Sequence, residues 1–287
     1  MKHQCHRAGL FSLIFCLVFL FSGCTTKIAY NYMDWGIEWK IKRLVRLDDP
    51  QKLQTKEAID AFHSWHRKTQ LPLYSAYLQS LQSRLDKTQW NADAIHAETD
   101  AVQLLLDQSI TYTIPHITSV LSQLDDDKVK ELLASVAEER QEFIDEYVDL
   151  SRKKQIEKRY DDFYDHFKDW LGAASKQQKQ DIHNWAESLE PYEHLSAEQQ
   201  LTWEQQFRQL LAQRQNKTNL KAGLEKLMYF HSDEWNPDLE AVLDRNQAKT
   251  YTLIADLLNH MSDKQRAHIH KKLAGFIDVF EELHQQN

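Results

Sequence analysis

Four times along the chain an apolar residue is followed by Ser or Asp, then by two residues of any kind, then by Gln. These are Leu47-Asp48-Asp49-Pro50-Gln51, Leu85-Asp86-Lys87-Thr88-Gln89, Leu195-Ser196-Ala197-Glu198-Gln199 and Met261-Ser262-Asp263-Lys264-Gln265; Ser175-Lys176-Gln177-Gln178 repeats the pattern in part. Physically this is a helix start. Ser or Asp at the N-cap accepts from the free amides of the first turn, and Gln at the third helical position reaches back to the cap amide. The apolar residue ahead of the cap can staple onto the first turn. A chain punctuated in this way is a series of helices, each spaced from the next by its own length and a loop.

The residues between the caps agree. Only 6 Gly and 5 Pro interrupt 287 residues rich in Gln, Glu, Lys and Leu, so helix breakers are scarce and helix formers abundant. Asp126 opens a long stretch with Val129, Leu132, Val136, Phe143, Tyr147 and Leu150 at the three-and-four spacing of a buried stripe. Around Ser151 to Gln155 the pattern either continues or kinks, and Gly172 ends it after Trp170 and Leu171. The last helix, from Asp263, carries Ile269, Leu273, Phe276, Ile277, Phe280 and Leu283 on one face. Pro72 is expected to separate two helices, and Pro115 to close one that starts near Ala92. No segment of useful length alternates apolar and polar residues. The expectation is an all-α, multi-helix antiparallel bundle, divided into helical subdomains at 32–172 and 173–287. The tryptophans recur about one per helix, as ridges packing helices together would.

The first residues point to export. Lys2 and Arg7 precede an apolar run from Leu10 to Phe21, too short for a membrane span of about 20 residues and of the right length for a signal peptide. Phe21-Ser22-Gly23-Cys24 resembles the bacterial lipobox, in which the thiol receives diacylglycerol, the signal is removed and the new amine is acylated. The resemblance implies a lipoprotein signal peptide at 1–23, a lipidated tether at 24–31 and Cys24 as the lipidation site. Cys5 and Cys16 would leave with the signal, so no disulfide and no thiol nucleophile is expected in the mature chain. Thr25, not Asp, follows Cys24; by the enteric sorting rule this implies the outer membrane, facing the periplasm.

Beyond Cys24, Ile28-Ala29-Tyr30-Asn31-Tyr32-Met33-Asp34-Trp35 resembles a family of uncharacterised proteobacterial lipoproteins. So do Glu139-Arg140-Gln141-Glu142-Phe143 and Arg245-Asn246-Gln247 leading into Met261-Ser262-Asp263-Lys264-Gln265-Arg266. The likeness implies an outer-membrane-type lipoprotein with a helical domain and carries no catalytic residue with it.

Tyr32, Trp35 and Trp39 recur at helical spacing, with Lys40, Lys42, Arg43 and Arg46 close behind. A helix of this kind could lie in the headgroup layer, rings at the interface and cations on phosphates, which makes Tyr32, Trp35, Trp39, Lys40 and Arg43 candidate interface residues. The same stripe could instead pack inward on the bundle, the commoner use of such a face.

Signals for chemistry are weak. Asp60, His63 and His66 sit at steps of three on one helix, yet the set sweeps too far around it for one metal and lacks the zincin Glu. His268 and His270 point to different sides. Glu187 and Glu190 near Trp185 and Tyr192 are the one carboxylate pair suited to a polymer-cleaving cleft. There is no nucleophile elbow and no phosphate loop. A net charge of −8, or −10 once Lys2 and Arg7 are gone, argues against nucleic acid as a partner. The expectation is a non-enzymatic envelope lipoprotein, without cofactor or metal, that binds other envelope proteins. The alternatives are a module for a hydrophobic ligand held in an enclosed cavity and, more remotely, an envelope-polymer hydrolase.

Overall fold

A computed structural model describes residues 23–229 and 235–286, with side chains from residue 27 onward. Of the signal peptide expected at 1–23, all but Gly23 lies outside the described residues, as does the Cys24 side chain. The helices are α1 (Gly23–Asn31), α2 (Met33–Leu44), α3 (Asp49–Trp65), α4 (Leu71–Arg84), α5 (Ala92–Leu121), α6 (Asp126–Phe143) and α7 (Arg152–Leu171). They continue with α8 (Lys176–Ser188), α9 (Glu193–Ala212), α10 (Lys217–Met228), α11 (Pro237–Asn259) and α12 (Asp263–Gln285). Among the described residues none is in a strand. The fold is all-α.

Three of the sequence-marked starts are complete capping boxes: Asp48 with Gln51, Ser175 with Gln178, and Ser262 with Gln265. The last two meet inside the molecule. Gln178 and Gln265, both buried, exchange amide hydrogen bonds of 3.2 and 3.0 Å, so the starts of α8 and α12 are tied to each other. The other two marks are not helix starts. Asp86 sits in the turn after α4, where Arg266 and His270 hold its carboxylate at 2.9 and 2.7 Å, and α5 is capped by Asn91. Ser196 lies inside the first turns of α9, which begins at Glu193, where the Tyr192 amide donates to the Glu193 side chain at 2.9 Å.

Neither expected proline break occurs. α5 runs through Pro115. An interior proline costs about 3 kcal/mol, but the turns of α5 on either side of it bury Ile110, Ile114 and Leu121, and each such side chain returns roughly 1.5–3 kcal/mol. Burial wins. At Pro72 the chain does not turn either: residues His66–Gln70 widen into a π-helical turn that carries α3 straight into α4. The wider turn relieves the clash of a proline ring with the carbonyl four residues before it. A second π-helical turn, Ile144–Val148, ends α6, and the pattern does not continue: the chain breaks just beyond it, where Ser151 caps α7. Gly172, at φ +78°, then stops α7 as expected.

Neighbouring helices run antiparallel. Along α4 and α12, Ser75 and Gln79 meet Glu281 while Gln82 meets the His270 carbonyl. α3 and α5 do likewise, with Gln54 on Ser119 and Phe62 beside Tyr112.

The core is divided, but not at Gly172. One cluster joins α1, α4, the start of α5, the end of α7, α8, and the C-terminal helices through Tyr30, Leu71, Trp90, Phe167, Ile182, Leu257 and Phe276. The other joins the end of α2 to α6, α9, α10 and the far half of α5 through Val45, Ile114, Leu132, Phe207 and Leu224. Each draws on residues from both sides of Gly172: the chain passes back and forth between two cores, and α5 is long enough to serve both. In the second core Gly223 lets α10 press onto α9, since a Cβ there would come within 2.4 Å of Leu210. Buried Arg214 locks the α5–α6 turn, donating to the Leu124 carbonyl at 2.6 Å and to Asp126 at 2.7 Å.

Candidate functional site

The N-terminal helices present two faces with opposite fates. Residues 24–31, expected as a tether, form α1 and are fastened to the bundle. Tyr30 is 3% exposed. Its ring lies 4.8 Å from that of His63, its hydroxyl is 3.0 Å from Nδ1 of His66, and the Arg67 guanidinium sits 5.6 Å over its face. Arg67 also reaches Asn31 at 3.3 Å, and Lys27 pairs with Glu282 of α12 at 2.6 Å. The seat is the π-helical turn, which carries both His66 and Arg67. Burial raises the Tyr30 phenol well above its ordinary range and pushes His66 down to about 4, with His63 lowered by burial and by Arg67. At neutral pH the socket is therefore an uncharged phenol–imidazole pair under one guanidinium.

The opposite face is bare. Ile28, Tyr32, Trp35 and Trp39 are 59, 66, 66 and 45% exposed, and α2 has no buried residue. Inward packing of the stripe, the alternative weighed above, is thus not what the molecule does. α2 is held instead by Met33 on the first core, Ile41 and Leu44 on the second, and ion pairs from Lys40 to Glu139 and from Arg46 to Glu131 at 2.7 Å. Of the five candidate interface residues, Tyr32, Trp35, Trp39 and Arg43 share the outer surface, with the Arg43 guanidinium 5.1 Å over the Trp39 ring. Lys40 does not join them, because Glu139 draws it toward α6. Among the described residues no helix is long and apolar enough to cross a membrane.

The remaining candidates are occupied in the architecture. His63 and His66 form the Tyr30 seat while Asp60 pairs with Lys56 at 2.9 Å. His268 lies 3.0 Å from the Asp169 carbonyl, and His270 pairs with Asp86. No group of three or more His, Cys, Asp and Glu among the described residues is placed to hold a metal. Glu187 and Glu190 do not face each other across a cleft. Glu190 is gripped by Arg245 at 2.7 Å and Lys249 at 3.4 Å, with Arg245 first in holding its pKa down to about 2. Trp185 packs on Phe163 at 4.6 Å and donates to Thr250. The surface carries two open grooves of about 460 and 380 Å³. One lies between Pro115 and Lys221, the other between Gln206 and Gly223, and neither is the enclosed chamber that a buried hydrophobic ligand requires.

The Tyr30 seat was not foreseen in the sequence. Its signal was present in the spacing of His63, His66 and Arg67, but nothing local tells that spacing from a solvated face.

No curated protein and no solved structure matches the chain. A family model matches residues 43–240. That span takes in the whole of the second core, the α4, α5, α7 and α8 share of the first, and Glu139 to Phe143, and leaves out Ile28 to Trp35 and Met261 to Arg266. On this match the chain belongs to the family of unknown function DUF6279.

Proposed function

We propose that this protein is a lipid-anchored envelope protein whose helical body works by binding other proteins or scaffolding their assembly, rather than by catalysis. The observation that carries the reading is the docking of α1. The lipobox-like segment ends at Cys24, inside the first turn of a helix whose Tyr30 is sunk in the bundle. Acyl chains on Cys24 would hold the whole body at the membrane as one rigid piece, each buried methylene adding about 0.8 kcal/mol to the anchor. Thr25 in place of Asp favours the outer membrane.

Mass spectrometry of protein purified from its natural host tests the anchor. The expected N-terminal residue is Cys24 carrying diacylglycerol and an N-acyl chain; an unmodified Cys24 or a start upstream of it sinks the anchor. Cross-linking in intact cells followed by affinity capture tests the second half, which fails if no envelope protein is recovered above an untagged control.

A further inference from the structure

We infer that Ile28, Tyr32, Trp35 and Trp39 rest in the headgroup layer of the bilayer beside Cys24, so that α1 and α2 lie along the membrane surface instead of standing on it. The inference deepens the anchored reading and rests on it for the identity of the surface.

Register comes first. The four exposed side chains are separated by steps of four, three and four residues, which keeps them on one side of a helix. The turn at Tyr32 does not break that line, because the Tyr32 amide donates to the Ile28 carbonyl and the Gly36 amide to the Tyr32 carbonyl, each at 3.1 Å. Cys24 is one further step of four back along the same rod.

Length decides between lying and standing. From Cys24 to Trp39 a helix advances about 22 Å at 1.5 Å per residue. The headgroup layer on one side of a bilayer is only about 5–8 Å deep. An upright rod would lift Trp39 out of it, whereas a rod lying flat puts all four side chains at one depth.

Chemistry names the occupant. Trp and Tyr with a few cations are the residues that settle at a membrane–water boundary. On this rod the rings come first, and exposed Lys42 and Arg43 follow on the same side, Arg43 over the Trp39 ring and Lys42 beside Glu38 at 3.2 Å, while Arg46 is turned to Glu131. The acids Asp34 and Glu38 sit off the stripe, half-buried. What precedes Gly23 is apolar whether the run from Leu10 to Phe21 is cut away in exchange for acyl chains or retained. In both cases lipid is what lies next to this face. Because Tyr30 and Lys27 bolt α1 to the body, a flat rod also fixes which side of the bundle faces away from the membrane.

The test uses the full protein as purified from its host, reconstituted in vesicles of phosphatidylethanolamine and phosphatidylglycerol whose acyl chains are brominated near the headgroup. Tryptophan emission is expected to be quenched, and the double variant Trp35→Phe/Trp39→Phe is expected to lose that quenching while keeping its helical circular dichroism. Equal quenching in the variant, or none in the native protein, overturns the inference. A dimer that forms through Trp35 and Trp39 without quenching does so too, and assigns the face to a second copy. The mass of the N-terminal peptide from the same preparation is a separate readout. An acylated Cys24 without quenching leaves the anchor standing and removes the flat rod; quenching with an unmodified Cys24 does the reverse.

Discussion

α12 and the α1–α2 pair are written in the same style, with large apolar side chains at helical intervals among charges, and they end in opposite solvents. α12 buries Ile269, Leu273, Phe276, Ile277, Phe280 and Leu283 against α4, α1 and α7. α2 buries nothing and shows two tryptophans to solvent. A periodic stripe says that a helix has an apolar side, and it does not say what that side will touch. What separates the two is the material around them. α12 is enclosed by α4, α1 and α7, while α2 runs along the edge of the body, held by ion pairs at Lys40 and Arg46 and by a few contacts at Met33, Ile41 and Leu44.

The difference is tested most strongly by truncating one aromatic from each. Phe276 is stacked on Trp170 at 5.8 Å and fully enclosed, so Phe276→Ala is expected to cost about 3–5 kcal/mol. Trp35→Ala removes a larger side chain yet is expected to shift stability by no more than about 0.5 kcal/mol, since the ring is already in water. Urea unfolding in the absence of lipid reads both. A loss of several kcal/mol at Trp35 would mean that the stripe is packed after all.

The fastening of the outer pair sharpens the comparison through pH. His66 is neutral in the folded protein because burial pushes its pKa from 6.5 to about 4. The unfolded chain therefore takes up a proton at higher pH than the folded one. Stability from this site is complete above pH 6.5 and drains away as pH falls toward 4, a difference on the order of 3 kcal/mol. Carboxylates titrate in the lower part of that window as well, so the informative quantity is the gap between the native protein and His66→Gln. It should close as pH falls from 7 to 4. A gap that stays constant would show that His66 is not held neutral.

A smaller effect belongs to the partner of that imidazole. Tyr30→Phe keeps the ring against His63 and beneath Arg67 and removes the hydroxyl 3.0 Å from His66. The expected cost is about 1 kcal/mol, read by denaturation, with α1 still protected from proteolysis. Rapid cleavage near residue 30 in this variant would show that the hydroxyl, not the ring, seats the helix.

Much of the fold was legible because helix starts are local chemistry. Ser262 and Gln265 solve the free-amide problem with atoms three residues apart, and no tertiary information is needed to see it. The core division was not legible, since it depends on α5 surviving Pro115, and that depends on what Ile114 and Leu121 meet. The candidate site was half legible. Tyr32, Trp35 and Trp39 could be placed on one face from their spacing, but Tyr30 and Ile28, two residues apart in one helix, differ in exposure by 56 percentage points (59 less 3) for reasons that lie in His66 and Glu282.

The finest test uses the caps themselves, because α12 starts with one and α2, beginning after Tyr32, has no side-chain cap. Ser262 accepts from the Gln265 amide and its loss removes a working cap, so Ser262→Ala should cost about 1 kcal/mol. Ser196 stands in the same local pattern, Leu-Ser-x-x-Gln, but its hydroxyl is buried in α9 with no partner among the described residues. Alanine there deletes an unsatisfied polar group and improves helix propensity, so Ser196→Ala is expected to be neutral or slightly stabilising. Equal losses from the two substitutions would show that α9 starts at Ser196, as its sequence invites, and that the Glu193 start held by Tyr192 and Arg159 is not the one the protein uses.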